Sequence, residues 1–165
     1  MITEKSFIVP FIIFTESVTG HKAYPGDENI TIPSGDYMSL TLEEFEPMAT
    51  RPVAKDYDAE VGAPVTFNSY EAVVRLTGYG DSALGWLQSI SHAFGVESHL
   101  NVLLKNGVGY SRHTPVRNAS IPVNQTKVEK RYTMLISFSY IYGEADPTGE
   151  AGCIETVTDT TGTYN

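Results

Sequence analysis

Apolar and polar side chains alternate with strict period two through residues 127–143 (KVEKRYTMLISFSYIYG). Tyr132, Met134, Ile136, Phe138, Tyr140 and Tyr142 fall on one side, and Arg131, Thr133, Leu135, Ser137, Ser139 and Ile141 on the other. Such alternation in β-branched and aromatic residues predicts a strand with one strongly apolar face. At a rise of about 3.3 Å per residue it spans roughly 50 Å, much longer than an ordinary strand of about five or six residues. The aromatic side has to be covered. The second side, where Ser, Thr and Arg are broken only by Leu135 and Ile141, suits water or a polar partner.

Two further segments read the same way. In residues 36–45 (DYMSLTLEEF) Met38, Leu40 and Leu42 alternate with Tyr37, Ser39, Thr41 and Glu43; in residues 65–79 Ala72, Val74 and Leu76 alternate with Val73, Arg75, Thr77 and Tyr79. Between them, residues 46–64 (EPMATRPVAKDYDAEVGAP) are rich in proline and charge and too long for an ordinary hairpin loop. Either the two strands form a hairpin whose tip projects as an arm, or the segment is a surface loop.

Helical spacing takes over in residues 81–94, where Leu84, Leu87, Ile90, Ser91 and Phe94 make an inward stripe beside Ala83 and Trp86, with Asp81 as the cap and Gly95 past the end. This helix is the expected cover for the aromatic side of the long strand. A shorter helix follows in residues 97–106, with Leu100, Leu103 and Leu104 on one face and Gly107 at its stop. Residues 2–20 predict a helix with Thr3 as cap, Pro10 inside and Gly20 as stop, although a strand through residues 6–14 interrupted by proline is the alternative. Its helical face is Phe7, Phe11, Phe14 and Val18.

Residues 21–35 read as a loop with one short extended piece, and residues 108–117 as an irregular strand that Pro115 assigns to an edge or bulge. Residues 118–126 are a polar connection, residues 150–158 extended, and residues 159–165 a small, polar, frayed end. The order predicts an α+β fold: a mainly antiparallel twisted sheet covered on one face by helices, with a long hairpin arm at residues 46–64. A chain of 165 residues fits a single domain, residues 1–165, and needs neither metal nor disulfide to be stable.

Charge and cysteine narrow the function classes. With 11 Lys and Arg against 20 Asp and Glu, the net charge of -9 argues against a groove that grips nucleic-acid phosphates, though not against DNA passing without sticking. The single cysteine, Cys153, has no internal partner and no neighbouring base to activate it. The apolar run at residues 7–14 is too short to cross a membrane, and it lacks the flanks of a signal peptide. We read it as a buried first element, which leaves the sequons at Asn29, Asn118 and Asn124 without a glycosylation role.

No motif assembles an active site. His92 and His99 belong to two helical segments, so they do not make a metal-binding i, i+4 pair, and His21 and His113 stand apart. There is no GxSxG elbow. The turn Gly78-Tyr79-Gly80-Asp81 lacks a third glycine and a following Lys-Ser/Thr, so a glycine-rich helix entry is the better account than a phosphate site. No cofactor is expected. A second reading, a hydrolase or carbohydrate-binding module with a loop-built site, rests on Tyr24, Tyr57 and Tyr110 as surface tyrosines.

The strand GDYMSLTLEEFE, the ending YEAVVRLTGYG that leads straight into DSALGWLQSISHAF, and then VRNAS, KRYTMLISFSYIYG and CIETV follow one another in an order that resembles the neck or tail terminator proteins of tailed bacteriophages. The resemblance covers roughly residues 36–158 and is one of pattern and order. It implies a virion structural protein, not an enzyme: a subunit of a hexameric ring that caps the tail tube and joins tail to head. Its implied partners are other copies of itself, tail-tube and sheath protein, a head-completion or connector protein, and DNA in transit, with no membrane. A head-completion or tail-tube subunit is the alternative within this class. The family motif assigns no binding residue. From the residues themselves, we expect subunit contacts at the arm (Arg51, Lys55, Asp56, Tyr57) and on the polar side of the long strand (Arg131, Thr133, Ser137, Ser139).

Overall fold

The computed structural model describes residues 4–26, 31, 33–48, 54–58, 63–124 and 127–145. Helix α1 (Glu4–Thr19) forms with Pro10 inside it and ends at Gly20, whose φ of 72° and N–H bond to the Glu16 carbonyl at 2.8 Å close the last turn. The helical reading of this segment therefore holds over the strand. Thr3, the expected cap, lies outside the described residues. Ile8, Phe11 and Phe14 are buried while Val9 and Ile13 face outward, so an element apolar nearly all round still has a definite inner face.

One sheet organises the rest. It consists of β1 (Ala23–Pro25), β2 (Tyr37–Pro47), β3 (Ala54–Asp58), β4 (Ala63–Tyr79), β5 (Val108–His113), β6 (Arg117–Asn118) and β9 (Arg131–Ala145). The path is β1-β2-β4-β9-β5, with β3 also on β4 and β6 also on β9; the β1–β2 pair is parallel and the others antiparallel. Outside the sheet, β7 (Ile121–Pro122), in the stretch read as a polar connection, and β8 (Val128–Glu129), at the start of the long alternating run, make a small hairpin. The long strand is consequently shorter at its start than its alternation suggests: Val128 and Glu129 pair with the hairpin, and β9 begins after Lys130.

Register puts the apolar sets of three strands on one face. Leu40 lies beside Leu76 and Leu76 beside Met134; Leu42 beside Val74 and Val74 beside Ile136; Phe45 beside Ala72 and Ala72 beside Phe138. The helices α1, α2 (Ala83–Ala93) and α3 (Glu97–Leu104) pack against this face. The expected cover by α2 is thus correct but partial, because α1 shares it: Phe138 meets Phe11 of α1 at 4.7 Å between ring centroids, and Phe94 stacks on Phe14 at 5.1 Å. Gly78 lets α2 approach β4; a Cβ there would sit 2.8 Å from Ala83 Cβ and 2.9 Å from Leu87.

Two expectations for α2 are corrected. Asp81 does not cap it: the residue before the helix is Ser82, whose N–H is held at 2.8 Å by the carboxylate of Asp36, 46 residues away, while Asp81 pairs with Lys130. The inner stripe is Ala83, Leu87, Ile90, Ala93 and Phe94; Leu84 is exposed and Ser91 hydrogen-bonds His113 at 2.8 Å. In α3, Leu103 is buried and Leu104 exposed.

Residues 46–64 are corrected in part as well. β3 pairs with the first half of β4, Ala54 opposite Phe67 through Asp58 opposite Ala63, and the same half of β4 pairs with β9 from Val65–Ala145 to Ser69–Ile141. The described part of the arm is therefore a three-stranded continuation of the sheet beyond β5, which starts opposite Tyr140.

Candidate functional site

No helix among the described residues covers the second face of the sheet. Three strands and one edge contribute to it in rows: Tyr37, Tyr79 and Arg131; then Ser39, Thr77, Thr133 and Arg117; then Thr41, Arg75 and Leu135; then Glu44, Val73, Ser137 and Arg112. Period two puts these side chains together because each strand gives its alternate set to the core.

At one end of the face an aromatic ladder runs across the strands. Tyr24 meets Tyr37 edge-on, Tyr37 stacks on Tyr79 at 4.4 Å, and the Arg131 guanidinium lies 5.2 Å from the Tyr79 ring centre. Burial, and then the neighbouring Tyr79, push the Tyr37 phenol above the ordinary tyrosine range. Arg131 also donates to the Glu129 carboxylate at 2.7 Å, the main reason its pKa lies above that of a free arginine.

The edge beyond β9 is irregular for a reason visible in its residues. Pro115 has no N–H and separates β5 from β6. Thr114 takes both backbone groups of Leu135, donating its N–H to the carbonyl at 2.9 Å and accepting from the Leu135 N–H through Oγ1 at 3.0 Å. Ser120 Oγ accepts from the Arg131 N–H at 3.1 Å. Hydroxyls thereby complete an edge that a regular strand does not reach.

Between this edge and the sheet lies a groove of about 410 Å³, lined among others by Arg75, Thr77, Arg117, Arg131 and Thr133. A smaller hollow of about 270 Å³ at Arg112 and Ser137 adjoins it and shares Thr114 and Leu135. Four of the chain's five arginines, 75, 112, 117 and 131, thus gather on one face of an acidic protein. Arg75 pairs with Glu43 at 2.9 Å, and Arg112 reaches Glu71 only at 3.9 Å. Among the described residues, Arg131 Nε and Thr133 Oγ1 are buried without a hydrogen-bond partner.

The expected contact residues separate into three groups. Arg131 and Thr133 stand in the groove. Ser137 and Ser139 are on the same face but less open: Ser137, at the smaller hollow, is only 7% exposed, and Ser139 Oγ donates to the Gly109 carbonyl at 3.4 Å. Their expected openness is corrected accordingly. Lys55, Asp56 and Tyr57 lie on β3, remote in register from the groove, while Arg51 lies outside the described residues. Reading the sequence missed Arg75, Arg112 and Arg117 as members of the site; the signal was their place on the polar side of their strands, visible once register is known.

The tyrosines behind the second reading lie on strands β1, β3 and β5. Tyr110 stacks on Phe94 at 4.3 Å, hydrogen-bonds His113 Nδ1 at 2.6 Å, and is raised in pKa by burial; Tyr24 belongs to the ladder. Among the described residues, no three His, Cys, Asp or Glu side chains gather as metal ligands, and no helix is long and apolar enough to cross a membrane.

No curated protein matches the chain. A match to a family described as phage neck terminator protein extends over residues 8–165, which takes in most of α1, the whole sheet and the uncovered face. The chain belongs to the phage neck terminator protein family, and is a structural protein of the phage neck.

Proposed function

We propose that the protein closes into a homohexameric ring that caps the tail tube, meets a head-completion or connector protein on its other side, and lets DNA pass through without binding it specifically. The whole chain, residues 1–165, acts as one subunit, assembled in the host cell and retained in the virion. The uncovered polar face carries this reading. A sheet with one face packed and the other lined by cations, tyrosines and unpaired donors is incomplete as a monomer, and copies of one chain are its most direct complement. Strand β3, which carries Lys55, Asp56 and Tyr57, and the groove around Arg131 and Thr133 lie on different parts of the subunit. Contact between such different surfaces is head-to-tail, and head-to-tail contacts close into rings when the rotation permits.

Light scattering and negative-stain imaging of the purified chain test the proposal. A ring of one level is expected at micromolar concentration. A stack of rings points to a tail-tube subunit instead, and a monomer that stays monomeric with tail-tube protein present overturns the ring.

A further inference from the structure

We propose that the arginine-lined groove on the uncovered face receives carboxylates of a second copy of this chain, drawn from its acidic stretch at residues 144–159. The inference rests on the self-association proposed above and specifies the chemistry of one contact. The groove has more donors than acceptors. Arg75 and Arg131 each have one carboxylate partner, yet Arg131 Nε and Thr133 Oγ1 remain buried and unpartnered, and Arg117 makes no ion pair among the described residues. Arg117 and Thr133 are direct cross-strand neighbours, which sets the exposed Arg117 beside Thr133 in the groove lining. The complement of such a set is an acceptor-only group, and a carboxylate receives a guanidinium and a hydroxyl together.

Charge selects the source. Flanking carboxylates at Glu43, Glu44, Glu71 and Glu129 and the net charge of -9 disfavour a nucleic-acid backbone, whose many phosphates would meet them all. Isolated carboxylates on a polypeptide avoid that repulsion. After Arg131 the chain contains no Lys, Arg or His, while Glu144, Asp146, Glu150, Glu155 and Asp159 follow at intervals. The segment 46–64 is a poorer complement, because Arg51 and Lys55 accompany its acids. Open-side positions along β9 recur every two residues, about 7 Å apart, a spacing an extended acidic segment can follow.

The test uses the full chain with benzoylphenylalanine in place of Leu135, which borders both hollows. Isotopically heavy and light copies are mixed, irradiated and mapped by mass spectrometry, and the association of Arg117→Glu is measured beside wild type. Cross-links joining heavy to light copies within residues 144–159 are expected. Arg117→Glu is expected to raise the concentration needed for association by about tenfold or more without changing the melting temperature. Cross-links confined to one copy or mapping elsewhere, wild-type association of Arg117→Glu, or saturable binding of a DNA duplex that the same substitution abolishes would each overturn the inference. If wild type forms rings while these signals are absent, only the groove contact falls; if wild type is monomeric at every concentration, the ring falls with it.

Discussion

The two faces of one sheet meet opposite fates although the same strands build both. On the helix side Met134, Ile136 and Phe138 are almost fully buried, and aromatic rings from α1, α2 and β5 close around Phe138 and Phe94. On the other side, one residue along at each step, Arg131, Thr133 and Leu135 retain exposure, charge and unpaired donors. The first face is complete within one chain. The second leaves donors without partners among the described residues, and under the proposed self-association stability and association are expected to be separable properties of neighbouring residues.

The strongest way to break the comparison is on the packed side. Phe138→Ala is expected to cost about 3–5 kcal/mol, because the ring touches both Phe11 and Phe94 and the helices cannot fully collapse onto the space left. A denaturant titration showing less than about 1 kcal/mol would mean that the helix layer does not depend on β9. Gly78→Val comes next: its side chain meets Ala83 and Leu87, and we expect about 1–3 kcal/mol of destabilisation with a weakened α2, read by helical circular dichroism.

At the rim of the sheet, Asp36→Asn tests the closure that joins the start of β2 to the start of α2. Hydrogen bonds from Ser82 hold the Asp36 carboxyl below its ordinary range. A pKa lowered on folding contributes stability fully above the unfolded value of about 4 and loses it as pH falls through the folded value. The wild-type advantage over Asp36→Asn should therefore be present at neutral pH, under about 1 kcal/mol for so exposed a group, and vanish in strong acid. An advantage that grew on acidification would contradict the assignment.

The smallest effect on stability is expected at Thr133→Val. Its hydroxyl has no partner among the described residues, so folding should change by less than about 0.5 kcal/mol or improve slightly, while self-association weakens. Loss of stability without loss of association would show that the hydroxyl serves the fold. Together these variants ask whether damage on each face stays in its own property.

Much of this contrast is legible locally. The alternation of Met134, Ile136 and Phe138 with Thr133, Leu135 and Ser137 marks both faces of β9, and Leu87, Ile90 and Phe94 mark the inner side of α2. The site is less legible. Arg131 and Thr133 stand out on the longest alternating run, whereas Arg75, Arg112 and Arg117 look like ordinary polar positions on three separate segments. Ser137 looks as open as Thr133 in sequence, but Val73, Glu44 and Arg112 from three other places in the chain wall it in.

Sequence by itself determined the class of element at each stretch and which side of each strand is apolar, because periodicity and side-chain chemistry act within a few residues. It also determined that no segment concentrates the residues of a catalytic motif. Tertiary structure alone decided that α1 shares the cover of β9 with α2, that Asp36 rather than Asp81 holds the start of α2, and that three arginines line one groove with a fourth in the hollow beside it. Those outcomes depend on strand order and register, which bring together residues tens of positions apart. No local pattern encodes a pairing whose two halves are so distant in the chain.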